Sequence, residues 1–181
     1  EGAGTRDAIA LADAFARAGT QLTIDVGPDT MTLSTAGLSS AFDDVLALVG
    51  DVVMRPRFAA SDFERVRELR VNRLRQLSRS AGTVADRAYV SAVFGEHPYG
   101  HGALGTTSAL SAMTVDDAQA YWVDHVGPSA ATLIVVGDLS PDAVVRAADR
   151  VFRQWDRQPV AAPEPPAPDA VDARILLVDR P

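Results

Sequence analysis

The chain has 181 residues, a formal net charge of −7, 47% apolar residues and no cysteine. The acidic balance disfavours non-specific binding to nucleic acid and to anionic lipid. The lack of thiols excludes disulfides, thiolate metal sites and cysteine nucleophiles. The length fits one domain, or one domain with a linker. Aromatics are few, so Leu, Val and Ala must fill the core, and no apolar run approaches membrane-spanning length.

The chain opens on Glu1-Gly2-Ala3-Gly4-Thr5, without an initiator Met or leader-like segment, and closes on Asp179-Arg180-Pro181. Both ends are expected to be cuts within a longer protein, which leaves targeting unread. Thr5 is placed to cap a helix to Ala18, with Ala8, Leu11, Ala12 and Phe15 on one face and Gly19 as its stop. Leu22, Ile24 and Val26, then Met31 and Leu33, alternate with polar residues around Gly27-Pro28-Asp29. That pattern predicts an antiparallel hairpin with one buried face.

A helix is expected from Ser39 or Ser40 to Met54, with Phe42, Val45, Leu46, Val49, Val52 and Val53 as its buried stripe and Pro56 beyond its end. Ser61 should cap a helix to Arg79. Gly82 should break the chain, and Thr83 should cap a helix to Phe94. After a loop from Glu96 to Thr106, a short helix reaches Met113. Thr114 then caps one to Val126, with Asp116 and Asp117 favouring its first turn. Thr132–Val136 reads as a central strand. Ser140-Pro141 starts a helix to Trp155. Residues 156–172 hold five of the eleven prolines and read as a surface linker. Residues 174–178 read as a last strand. The order predicts an α+β fold: a two-layer sandwich in which 21–26, 30–35, 131–137 and 174–178 form a mainly antiparallel sheet with helices on one face.

Two features bear on function. The loop around His97-Pro98-Tyr99-Gly100-His101 carries two of the three histidines. His97 and His101 have a metal-pair spacing, but that spacing converges only on a helix, and Pro with Gly forbids one here. The expected reading is a shaped turn in which His, Tyr and Gly satisfy local backbone geometry. In the helix from Ser61 to Arg79, Arg70 and Arg73 fall in the same arc as Phe63, Val66, Leu69, Leu74 and Leu77. They are therefore expected to face inward and to need acceptors. His125 is expected as a cation near a helix C-terminus.

Several marks in order resemble the M16 metallopeptidases, the group of insulinase, pitrilysin and mitochondrial processing peptidase. They are Gly4-Thr5-Arg6, Gly19 before the hairpin, Arg55-Pro56-Arg57-Phe58 with Phe63-Glu64-Arg65, His97-Pro98-Tyr99-Gly100 with Gly105-Thr106, and Val135-Val136-Gly137-Asp138 with Phe152 and Trp155. The resemblance covers nearly the whole chain. It implies an M16-like amino-terminal half at 1–157, a Pro-rich linker at 158–172 and a bridge at 173–181 toward a second homologous half, as in bacterial members. The compartment stays open between periplasm and cytoplasm.

Family chemistry rests on zinc held by an H-x-x-E-H motif and a downstream Glu. The resemblance puts the motif before Gly4-Thr5, outside this chain, and the downstream Glu at Arg73. It therefore implies no catalytic residue, no metal ligand and no cofactor in this chain, zinc belonging to active members. His97, Tyr99 and His101 are left as a structural or substrate-side loop. The implied role is a zinc-less half of a clamshell protease, partnered by a second half or an active M16 subunit and contacting peptide substrate. Nucleic acid and membrane insertion are not expected. Two alternatives stay open: an active zinc metalloendopeptidase whose motif lies upstream, and a non-proteolytic scaffold.

Overall fold

The computed structural model describes residues 1–160, 165, 167, 173 and 175–179. The expected linker at 158–172 and Arg174 of the last expected strand lie largely outside the described residues. The described chain forms helices α1 (Ala8–Arg17), α2 (Phe42–Met54), α3 (Ala60–Leu77), α4 (Ala81–Phe94), α5 (Thr107–Ala112), α6 (Val115–His125) and α7 (Pro141–Phe152). Strands β1 (Thr23–Val26) and β2 (Met31–Ser34) form a two-stranded antiparallel sheet. The class is α+β.

The chain divides into two compact units. The first holds Glu1–Asp25, Met31–Phe63 and the stretch from Thr114 that carries α6 and α7. Its core is Phe15 of α1 against Val45 and Leu48 of α2, with Leu11, Ala14, Leu22 and Val52 packed around them. Phe15, Val45 and Leu48 each contribute about 1.5–3 kcal/mol on burial. α7 packs on α2 at Gly50, where a Cβ would lie 2.4 Å from Val151 Cγ1. Trp122 of α6 donates its indole N–H to Val53 O at 3.2 Å, and its ring meets Phe58 edge-on. The second unit holds Val26–Thr30 and Glu64–Met113, hence most of α3 with α4 and α5.

Caps follow side-chain chemistry closely. Ser140 accepts from Ala143 N, Thr106 from Ala109 N, and Thr114 forms a capping box with Asp117. Two caps differ from expectation. Asp7, not Thr5, caps α1 by accepting from Ala10 N. Ser80, not Thr83, caps α4, so Gly82 lies inside the first turn. In both cases the cap oxygen takes the exposed N–H three residues on, at Ala10 and at Thr83.

The sheet is smaller than expected. Residues 131–137 have no ladder partner among the described residues, and Ile134 and Val136 are 79% and 94% exposed. Residues 175–178 are likewise exposed and unpaired among the described residues. An apolar run signals strand propensity, but a strand exists only where a neighbour supplies hydrogen bonds. The hairpin forms as expected, yet Ile24 and Val26 are exposed, so no face of it is buried.

Candidate functional site

The loop after α4 is built by its own side chains. Gly95 ends the helix at φ 54°, a conformation that favours glycine. His97 N donates to Phe94 O at 2.9 Å. The buried His97 ring then caps a 3₁₀ turn at Pro98–Gly100, its Nδ1 accepting from Tyr99 N at 3.1 Å. Gly100 N donates to His97 O at 2.7 Å. A Cβ on Gly100 would stand 2.0 Å from Gly95 O, so only glycine fits. The rings of Phe94 and Tyr99 flank His97 at 5.9 Å and 4.9 Å.

Tyr99 Oη donates to Asp29 Oδ1 at 2.6 Å, tying the loop to the hairpin turn. This hydrogen bond, then the Asp29 charge and slight desolvation, raise the phenol above its ordinary pKa. His101 is exposed in extended backbone. His97 is thus engaged by backbone and aromatic rings. His125 lies in the last turn of α6 with its ring 4.6 Å from that of Tyr121.

α3 differs from expectation. Its buried residues are Val71 and Leu74, while Arg70 and Arg73 are exposed and Leu69 is 59% exposed. Of the predicted inward arc, Leu74 is buried and Phe63, Val66 and Leu77 are half-buried, whereas Leu69, Arg70 and Arg73 are exposed; Val71 joins Leu74 as the buried pair. Arg73 Nη1 donates to Gln76 Oε1 at 2.9 Å. On the other side of the helix, Arg67, Glu68, Val71, Asn72 and Arg75 line an open pocket of about 310 Å³ with Ser111. There Arg67 donates to Met113 O and pairs with Glu64, and Arg75 donates to Asn72.

The family model for the peptidase M16 inactive domain matches residues 112–180. An uncharacterized zinc protease of Mycobacterium tuberculosis is 25% identical over 179 residues, 97% of this chain and 41% of that protein. The chain is thus similar to peptidases of the M16 family. A second relative, an uncharacterized zinc protease of Mycobacterium leprae, is 26% identical over 78% of this chain and 32% of its own length. The chain therefore spans about a third to two fifths of these relatives. Among solved structures, the peptidase M16 inactive domain of Pseudomonas fluorescens superposes with a TM-score of 0.85 at 24% identity, over 94% of this chain and 42% of that one. The first half of the periplasmic protease PqqL of Escherichia coli superposes with a TM-score of 0.78 at 13% identity, over 91% and 36%.

These relatives are named zinc proteases, so the donor set of this chain bears on the likeness. Among the described residues no three His, Cys, Asp or Glu side chains gather to hold a metal. α3 presents guanidinium groups, always charged and without a lone pair for a metal. The buried carboxylate that sequence reasoning missed is Asp51, which accepts from Arg6 at 3.0 Å and from Arg55. Gly4 N donates to Arg55 O beside it. The available signal was the i,i+4 pair Asp51–Arg55 on α2. Asp51 clasps the amino-terminal residues to the end of α2, and its pairing is structural.

Proposed function

We propose that this M16 chain is a catalytically silent half: chamber wall and peptide-contacting surface of a two-half clamshell protease. It works with a second homologous half or with a separate active M16 subunit that holds the zinc. Residues 1–157 are the half domain, 158–172 a linker, and 173–181 the bridge onward. Support comes from the inactive-domain family match and from the likeness to the first half of a two-half protease.

The observation that carries the reading is Arg73. The family resemblance puts the third zinc ligand at this position, and here stands a solvent-facing cation that donates to Gln76. A guanidinium there repels a divalent ion and supplies no donor electrons. His97, Tyr99 and His101 belong to a structural loop on the substrate side. The test is hydrolysis of a generic quenched-fluorescence peptide by the purified protein, with and without chelator. The expected result is no chelator-sensitive cleavage. Chelator-sensitive turnover lost by no partner depletion, and therefore intrinsic, overturns the reading.

A further inference from the structure

The outward face of α3 carries a charge opposite to that of the chain. Overall the protein is acidic, at −7. From Leu69 to Leu77, however, the sequence Leu-Arg-Val-Asn-Arg-Leu-Arg-Gln-Leu holds three arginines and no carboxylate. Arg75 lies in the last turn, where the helix dipole favours a cation. Arg70 and Arg73 stand one turn apart, both exposed, beside an apolar Leu69 that is itself more than half exposed. Arg70 has no ion pair among the described residues, and Arg73 has only the neutral amide of Gln76. Neither guanidinium charge is compensated by a carboxylate on its own helix face.

We infer that this face binds acidic peptide, so that the wall selects substrate segments bearing carboxylates at alternating positions. The inference rests on the proposed role as a substrate-contacting half and names the substrate class. Charge complementarity selects the ligand: an acidic peptide is repelled by most of this protein and attracted to α3. Geometry selects its form. Arg70 and Arg73 are about 4.5 Å apart along the helix axis. Same-side residues of an extended peptide lie about 6.7 Å apart, a gap the long arginine stems bridge. Each guanidinium offers a planar fork to one carboxylate, and the exposed Leu69 lies beside the pair.

The test is fluorescence anisotropy on the purified protein with two labelled peptides of equal length. One has Glu at alternating positions; the other has Gln for every Glu. The Glu peptide is expected to bind about two- to thirtyfold tighter, as two exposed charge-assisted contacts allow. Its affinity should fall with added salt. The double variant Arg70→Gln, Arg73→Gln should lose that preference, whereas Arg17→Gln, an exposed cation on α1, should keep it. Circular dichroism of the double variant verifies that α3 is retained. Equal binding of the two peptides, or an unchanged preference in the double variant, overturns the inference. Binding is read without catalysis, so chelator-sensitive hydrolysis with intact Glu-peptide preference would sink the silent-half reading alone. A silent protein without the preference would sink this inference alone.

Discussion

Replacing Gly50 by Ala should destabilise the protein, against the usual direction for a glycine in a helix. Ala in place of Gly in a helix interior gains about 1 kcal/mol from propensity. At Gly50 the new Cβ would sit 2.4 Å from Val151 Cγ1 and 3.4 Å from Met54 Cε. Carbon atoms in contact prefer about 3.5–4.0 Å, so something must move by more than about 1 Å. Met54 can yield, because its chain is flexible. Val151 cannot turn away cheaply, because a β-branched residue in a helix is held near one χ1 rotamer. α7 must therefore shift from α2, at an overpacking cost toward the upper end of about 1–3 kcal/mol. The net loss is about 1–2 kcal/mol, read as a lower urea midpoint at unchanged slope. Gly82→Ala is the matched control: its Cβ meets open space at the start of α4. That variant should gain about 0.5–1 kcal/mol. A Gly50→Ala midpoint at or above wild type would refute the close-packing argument.

Asp51→Ala should cost about 1–2 kcal/mol by chemical denaturation, because it strips Arg6 and Arg55 of their shared acceptor. The cost stays below that of breaking a fully buried pair, since both guanidiniums keep contact with water; an unchanged midpoint would remove the clasp from the account. Tyr99 should titrate above its ordinary range by ultraviolet absorbance, and Asp29→Asn should lower that midpoint. A raised folded pKa gives stability that is present below the unfolded phenol value and lost as pH rises through the folded one. Asp117 is shifted the other way, first by the Thr114 hydroxyl and then by the Thr114 N–H. Its contribution is present above the unfolded carboxyl value and lost as pH falls through the folded one. Thr114→Ala should move the Asp117 carboxyl resonance midpoint upward, and no movement would contradict the capping box.

The helices were legible in sequence where the signal is local. Ser140-Pro141, Thr106 and Thr114-x-x-Asp117 mark starts because cap and acceptor lie within one turn. Thr5 and Thr83 misled for the same reason, since Asp7 and Ser80 offered competing acceptors nearby. The phase of α3 was not legible. Its apolar residues occupy more than one face, and burial of Val71 and Leu74 over Leu69 is decided by packing. The apolar run at Thr132–Val136 shows strand propensity without revealing whether a partner strand stands beside it. His97 drew attention by composition and spacing, but its work as a cap under two aromatic rings depends on the fold of the loop.

The most direct test of the silent-half account is the zinc content of the purified, unmodified protein by elemental analysis after exchange into metal-free buffer. The account predicts substoichiometric zinc, because Arg73 stands where the resemblance puts a carboxylate ligand. One tightly held equivalent of zinc per chain would contradict it.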